Sequence, residues 1–170
     1  MRIVIKWVLL IVLLCTVGWL TNLAFKKVEA GKSTKERLST MPELLLITLD
    51  STTINVSAFI EKSLVLIYFN SECEHCRYEA KDIKNNIASF SKVSIVFMSS
   101  ESLANILDFA ETTGLKNHNN IFFTQISSSD AFAAFGNLSV PHIFIYGHDK
   151  KLRKEFKGET KAEAILKYLI

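Results

Sequence analysis

Cysteine, proline and glycine are all scarce in this chain of 170 residues, which contains three, two and six of them respectively. So few cysteines exclude a disulfide-rich miniprotein, and so little proline and glycine exclude a collagen-like or low-complexity chain. Hydrophobic residues make up 49% of the sequence, which is enough to build a packed core. Length and composition therefore indicate one globular domain with a short additional segment.

A domain-wide excess of basic charge is also absent. The net charge of +3 comes from residues 1–42, where seven of the 20 Lys and Arg residues stand against two of the 17 Asp and Glu residues. Residues 43–170 therefore carry 13 basic and 15 acidic residues, a local net charge of −2. Nucleic-acid-binding domains need a basic surface that attracts phosphate, so we expect no nucleic-acid partner.

The N-terminal segment contains an uncharged apolar run, residues 7–25, between Lys6 and Lys26. At ~1.5 Å per residue a helix of this run is ~28 Å long, close to the ~30 Å hydrocarbon core of a bilayer. We therefore predict one transmembrane helix in a membrane anchor of residues 1–25; a signal peptide cleaved after Ala30 is the alternative. Basic residues on both sides of the run leave the orientation of the helix open.

The rest of the chain divides into a polar tether and one folded domain. Residues 26–42 lack hydrophobic periodicity and predict a flexible tether, so the domain covers residues 43–170. A flexible tether of this length spans ~20 to 25 Å, which is enough to hold the domain away from a membrane surface.

Strand and helix patterns alternate within residues 43–170. Strands are predicted from apolar runs bounded by turn residues, at 44–49, 53–56, 64–69, 93–98, 121–124, 142–146 and 151–156. Helices are predicted from three- and four-residue apolar spacing and capping signals, at 76–90, 100–113 (N-cap Ser99 or Ser100), 129–135 and 160–170 (a Thr160–Glu163 capping box). This order predicts an α/β fold with a central mixed sheet flanked by helices.

Cys73 and Cys76 carry the clearest chemical signal in the sequence. Their Cys-Glu-His-Cys motif lies where an apolar strand is followed by a helix, and the two intervening residues place the thiols one helical turn apart. The positive N-terminal end of the helix favours a thiolate at Cys73, and a thiolate is the species that attacks a disulfide. We therefore predict Cys73 as the nucleophile and Cys76 as the resolving thiol.

A zinc site is the other common use of a CxxC pair. Zinc in proteins usually has four nitrogen, sulfur or oxygen ligands, and the sequence has no second cysteine pair. His142 and His148 are far from Cys76 in the sequence and have an unusual spacing for zinc ligands. We therefore predict neither a metal nor another cofactor at the motif.

The arrangement resembles the thioredoxin fold, in which a CxxC motif starts a helix after a buried strand and a proline-led strand follows later, as Val140–Pro141 does here. The predicted hairpin ahead of residues 64–69 is similar to that of TlpA and ResA, a membrane-tethered group of bacterial thiol-disulfide oxidoreductases. The resemblance covers roughly residues 43–170. It implies a thioredoxin-like fold with an N-terminal β-hairpin extension, preceded by one transmembrane helix.

The resemblance also implies roles for three further residues. Pro141 corresponds to the cis-proline that lies beside the two thiols and presents a backbone edge to the substrate. Glu79, three residues after Cys76, corresponds to a glutamate that assists proton transfer; a solvated carboxylate on the helix surface is the alternative. His75 immediately precedes the second cysteine, as in the oxidising DsbA proteins, and its protonated ring would stabilise a Cys73 thiolate.

The sequence departs from the family pattern near the motif. Glu72 stands where an aromatic residue usually precedes the first cysteine, and together with Glu74 it opposes the charge of His75. Ile67 occupies the position of the buried acid of thioredoxins. His142, which follows the proline, is predicted as a strand residue with a satisfied ring nitrogen or as a neighbour of the thiols. Whether the protein is a reductant or an oxidant is therefore open.

The resemblance implies a thiol-disulfide oxidoreductase, in its group commonly a reductase of exported protein disulfides that receives electrons from an upstream membrane donor. It further implies a single-pass protein of the bacterial inner membrane, with a periplasmic catalytic domain and protein dithiols and disulfides as partners. One alternative is a copper-binding module that uses Cys73, Cys76 and His142, although such modules typically separate their cysteines by three residues. Another is a peroxiredoxin, whose Pro and Thr are missing around Asn70 and Ser71.

Overall fold

The computed structural model of the protein describes residues 7, 14–23, 25, 36, 38–59 and 62–169. The chain divides into two compact units, Met1–Glu36 and Arg37–Ile170. Residues 14–23 of the first unit are helical. No helix within the described residues combines the length and the apolar character needed to cross a membrane. Most of the other residues of the predicted anchor lie outside the described ones, so the anchor stays a prediction.

The described strands of the second unit form one mixed sheet. They are β1 (Leu45–Thr48), β2 (Thr53–Asn55), β3 (Ser63–Tyr68), β4 (Val93–Ser99), β5 (Ile121–Gln125), β6 (His142–Tyr146) and β7 (Leu152–Lys157). Their order across the sheet is β2-β1-β5-β4-β3-β6-β7. β3, β4 and β5 are parallel, whereas the β1–β2, β1–β5, β3–β6 and β6–β7 pairs are antiparallel. The predicted N-terminal hairpin and mixed sheet are therefore confirmed.

The helices connect the strands in the predicted order. The described α-helices of this unit are α1 (Glu74–Asn85), α2 (Leu103–Thr112), α3 (Ser128–Phe135) and α4 (Ala162–Leu166), with 3-10 turns at Val56–Phe59 and Ile87–Phe90. α1 connects β3 to β4 and α2 connects β4 to β5, which are the crossover connections that parallel strands require. The motif therefore lies at the carboxyl end of β3, where α1 begins.

The centre of the sheet is buried on both faces. Leu64, Val65, Leu66 and Ile67 of β3 are all fully buried, which explains why the strand is continuously apolar rather than alternating. Val65 and Ile67 belong to a core cluster with residues of α1, α2 and α4. Leu64 and Leu66 belong to a second cluster with residues of α3. The sheet thus separates two cores, and α1 covers the first.

Two predicted helix starts are wrong, and in one of them a side chain distant in sequence takes over the capping. The Thr160–Glu163 capping box does not form: the Thr160 hydroxyl donates to the Gly158 carbonyl (3.1 Å), and α4 begins at Ala162. The Ala162 N–H instead donates to Oδ2 of Asp82 on α1 (2.7 Å). In α2 the N-cap is Ser102, not Ser99 or Ser100, and its hydroxyl accepts the N–H of Asn105.

The folded unit begins earlier than predicted. Leu38 and Met41 are buried in the second core, although both fall in the predicted tether of residues 26–42. The Met41 N–H donates to the Lys150 carbonyl (2.8 Å), and the Leu152 N–H donates to the Ser39 carbonyl (2.9 Å). The boundary at residue 43 is therefore too late, since isolated apolar residues next to an edge strand leave no periodic signal.

Candidate active site

The two motif cysteines occupy the start of α1. Cys73 is the N-cap residue, with extended backbone angles (φ −74°, ψ 116°), and Cys76 lies in the first turn. The Cys73 N–H donates to the Asn70 carbonyl (3.2 Å), and the Arg77 N–H closes the first helical turn on the Cys73 carbonyl (3.1 Å). Cys73 therefore lies at the N-terminal end of the helix, as the sequence predicts, although its sulfur makes no capping hydrogen bond.

The thiols differ sharply in their surroundings. Cys73 is partly exposed, whereas Cys76 is only 2% exposed. Burial raises the pKa of the Cys76 thiol well above its ordinary value; the neighbouring Cys73 and Glu79 add to the rise, and a hydrogen bond with the Asn70 backbone opposes it. Cys76 thus keeps its proton while Cys73 is accessible, an asymmetry suited to one attacking and one resolving thiol.

The loop ahead of β6 lies beside the first thiol. The Val140–Pro141 peptide bond is cis, as the resemblance implies. The Val140 carbonyl oxygen is 3.9 Å from the Cys73 sulfur, and the Val140 side chain is 39% exposed. A cavity of about 390 Å³ opens next to this loop and is lined in part by Asn70, Leu138 and Val140.

Glu79 is a buried residue of α1, one helical turn beyond Cys76. It is 1% exposed, so the alternative of a solvated surface carboxylate is wrong. Its Oε2 accepts the Thr160 N–H (3.1 Å), and its Oε1 has no hydrogen-bond partner among the described residues. Burial, assisted by the charges of Glu159 and Asp82 and opposed by the Thr160 bond, raises the pKa of Glu79 to about 8. Glu79 is therefore mostly a neutral acid at pH 7.

His75 is paired with a carboxylate that is distant in sequence. Its side chain is 69% exposed, and its Nδ1 is 2.8 Å from Oε2 of Glu159, which lies between β7 and α4. The sequence predicts that Glu72 and Glu74 oppose the charge of His75, but Glu159, 84 residues away, is the carboxylate that contacts it. No local sequence signal identifies this partner.

His142 does not join the site. It is buried and stacks on Phe144, with ring centroids 4.5 Å apart, in the core on the other face of the sheet from Cys76. Its Nε2 bonds to Glu155 (2.8 Å), and burial lowers the pKa of His142 against the opposing effect of that bond. The strand interpretation of His142 is therefore correct. The alternative ligand set of Cys73, Cys76 and His142 is not assembled.

Glu101 holds the loop that leads into Cys73, and the sequence analysis missed it. Its Oε2 accepts the Ser71 N–H (2.7 Å) and the Ser99 hydroxyl (3.0 Å), while its Oε1 accepts the Ser71 hydroxyl (2.7 Å). The Arg77 side chain donates to the Ser71 carbonyl (2.9 Å) from the other direction. Ser71 is buried, so these bonds replace the water that it has lost.

We expect Glu101→Ala to destabilise the fold by about 3 kcal/mol, because three buried or half-buried donors lose a charged acceptor. Urea unfolding of the detergent-solubilised full chain measures this loss. The matched control is Glu111→Ala, which removes an exposed ion pair with Lys116 and should change stability by no more than ~0.5 kcal/mol. Equal effects of the two substitutions would show that the Glu101 bonds do not hold the loop.

The sequence of the folded unit matches a known family. Residues 39–155 match the AhpC/TSA family, which is well over half of the chain. The chain belongs to this family. No curated protein sequence matches the chain. The AhpC/TSA match includes Cys73, Cys76, Glu79 and Pro141, and it starts at residue 39, close to where the folded unit begins.

Solved structures share the fold of this AhpC/TSA chain at low sequence identity. A secreted Mycobacterium tuberculosis disulfide oxidoreductase homologous to E. coli DsbE superposes with a TM-score of 0.62 at 17% identity, covering 79% of this chain and 96% of that one. The thioredoxin domain of a Bacteroides vulgatus thiol-disulfide oxidoreductase gives 0.62 at 15% identity, covering 76% and 92%. The M. tuberculosis peroxidoxin BcpB gives 0.62 at 18% identity, covering 76% and 93%. These similarities confirm the predicted thioredoxin-like α/β fold.

Proposed function

We propose that the protein is a thiol-disulfide oxidoreductase that reduces disulfides of protein substrates. The observation that carries this proposal is the pairing of a partly exposed thiol at a helix start with a buried thiol one turn further on, beside a cis-proline loop. The cavity of about 390 Å³ next to Val140 offers space for a substrate side chain close to the attacking sulfur.

The reaction transfers two electrons in two steps. The Cys73 thiolate attacks one sulfur of the substrate disulfide, and the other substrate sulfur leaves as a thiolate that takes up a proton. The Cys76 sulfur then loses its proton and attacks Cys73 in the mixed disulfide. This second attack forms the Cys73–Cys76 disulfide and releases the second substrate thiol, so the substrate gains two electrons and two protons.

Glu79 is the proposed acceptor of the Cys76 proton. The buried thiol needs a base that is close to it and out of bulk water, and Glu79 lies one turn away on the same helix. A pKa of about 8 matches a group that both takes up and releases a proton near neutral pH. The ionised fraction of Glu79 then limits the rate of the second step below pH 8.

The environment of His75 supports a reductase rather than an oxidant. A protonated histidine in the motif makes a disulfide more oxidising when its charge stabilises the reduced form's thiolate. Here the Glu159 carboxylate pairs with His75 and offsets that charge. Cys73 therefore receives less stabilisation from His75 than the motif alone suggests, which favours the reducing direction.

The cellular placement is part of the proposal. A TlpA- or ResA-like protein of the bacterial inner membrane, with a periplasmic domain and an upstream membrane electron donor, fits the apolar run at residues 7–25 and the β1–β2 hairpin. Exported protein disulfides are then the substrates.

A redox titration of the full chain in detergent tests the proposal. We expect a Cys15→Ser variant, equilibrated in glutathione buffers and labelled with an alkylating mass tag, to gain or lose two tags in a single transition near or below ~−230 mV. A midpoint near ~−120 mV would contradict the reductase direction. Absence of any disulfide between Cys73 and Cys76 would overturn the oxidoreductase assignment itself.

A further inference from the structure

A groove rich in positive charge runs along α1 beside the motif, and its volume is about 440 Å³. Its lining consists of Arg77, Lys81, Lys84 and Asn85 of α1 together with Thr112 and Thr113 at the end of α2. None of these lining residues is acidic, and the three basic ones are exposed. Within the described part of the chain, none of the three basic side chains forms an ion pair.

The groove begins next to the attacking thiol. Arg77, Lys81 and Lys84 follow Cys73 by four, eight and eleven residues, which is the spacing of neighbours on one side of a helix. The Arg77 N–H donates to the Cys73 carbonyl (3.1 Å), and its side chain donates to the carbonyl of Ser71 (2.9 Å). At ~1.5 Å per residue, the three cations lie between about 6 and about 16 Å from Cys73 along the helix axis.

This arrangement of charges is unfavourable for α1 alone. Like charges three or four residues apart on a helix repel each other, and Lys81 lies four residues after Arg77 and three before Lys84. Neither lysine has an acidic residue at these spacings. The Lys84 ammonium group lies beside Gly114, just beyond α2, where a β-carbon would collide with it. A negatively charged group in the groove would relieve the repulsion between these side chains.

We propose that this groove binds an acidic segment of the protein substrate while Cys73 attacks the substrate disulfide. The inference rests on the proposed function and specifies which protein disulfides are preferred. An extended chain rises about 3.3 Å per residue, so side chains three to five residues from the attacked cysteine reach the groove. Carboxylates at those positions meet the three cations, which favours both encounter and correct orientation of the substrate.

The surroundings of Cys73 restrict where the acidic residues of the substrate lie. Glu72 and Glu74 flank Cys73 and are exposed, so carboxylates directly beside the attacked cysteine meet like charges. An anionic membrane surface is another partner that basic side chains attract. A broad membrane surface on the groove would lie within one helical turn of Cys73 and obstruct the substrate, whereas a protein segment leaves the thiol accessible.

Reduction of matched peptides in a single turnover tests the groove. Each peptide has one disulfide between two cysteines, with three aspartates placed either three to five residues beyond the second cysteine or directly after it. Asparagines replace the aspartates in a neutral peptide. The reduced Cys15→Ser full chain in uncharged detergent is mixed with each peptide at low ionic strength, and mass tagging of free thiols gives the second-order rate constant. We expect the peptide with distant aspartates to react about fivefold faster than the other two.

Charge variants separate the groove from a general effect of net charge. Lys81→Gln combined with Lys84→Gln should remove most of the preference, and Lys81→Glu combined with Lys84→Glu should reverse it. The matched control is Lys92→Gln combined with Lys167→Gln, which removes the same charge from exposed positions outside the groove and should keep the preference. Urea unfolding verifies that each variant is folded. A preference that survives the loss of both groove lysines, or that falls equally in the control, overturns the proposal.

Two other outcomes are distinguished by the same set of peptides. Equal rates for all three peptides overturn this inference and leave the proposed function in place. If vesicles that contain phosphatidylglycerol also protect Lys81 and Lys84 from amine acylation, the groove binds a membrane surface instead. Failure of the proposed function would look different, because the unsubstituted chain would then reduce none of the peptides.

Discussion

Cys73→Ser should abolish disulfide reduction, and Cys76→Ser should convert the protein into a trap for its substrates. The first substitution removes the partly exposed sulfur at the start of α1, and the remaining thiol is 2% exposed and holds its proton. Insulin-disulfide reduction by Cys73→Ser should therefore fall to background, a loss of at least about a thousandfold. The second substitution leaves the attack intact but removes the resolving sulfur, so a mixed disulfide accumulates.

Mass spectrometry and non-reducing gels measure the two outcomes directly. Cys76→Ser mixed with a disulfide-bonded protein should form a covalent adduct that a dithiol reductant releases, and Cys73→Ser should form none. Cys15→Ser is the matched control, because it removes the remaining cysteine of the chain and should behave as the unsubstituted protein does. Adducts through Cys76 in the Cys73→Ser variant would mean that the roles of the two thiols are reversed.

The parts of the fold that rest on local patterns were predictable. The continuous apolar run at residues 64–69 predicted a strand, and residues 64–67 of this run are fully buried in the centre of the sheet. The start of α4 was less predictable because it depends on a distant side chain. α4 begins where Asp82 accepts the Ala162 N–H, 80 residues away along the chain, and no window of local sequence contains that contact.

The residues of the site also divide into those that the sequence predicts and those that it does not. Cys73 and Cys76 were predictable because they are close in sequence and lie at a junction of two periodic patterns, and Pro141 and Glu79 because a family resemblance names their positions. The contacts and the burial that surround these four residues were not predictable. Glu101 reaches Ser71 across 30 residues, and neither the burial of Glu79 nor the ionic partner of His75 can be read from residue type or spacing.

Glu79→Gln should make the protein more stable at pH 8 and leave its stability at pH 5 nearly unchanged. The pKa of Glu79 rises from an ordinary 4.5 to about 8 in the folded chain, so between these values the folded state keeps a proton that the unfolded chain has lost. Stability that comes from this proton is fully present below pH 4.5 and is lost as the pH rises to about 8. The loss is on the order of 4 kcal/mol.

Glutamine at position 79 has no carboxyl group to ionise, but its side-chain oxygen can still accept the Thr160 N–H. Urea unfolding of the reduced full chain in detergent, from pH 5 to 9, should therefore give curves for the two proteins that diverge as the pH rises. Glu163→Gln is the exposed control, and it should leave the pH dependence within ~0.5 kcal/mol of the unsubstituted chain. Parallel curves for Glu79→Gln and the unsubstituted protein would show that Glu79 is ionised in the folded state. The same substitution should slow resolution of the mixed disulfide most at pH 8 and above, where Glu79 is ionised and can accept the Cys76 proton.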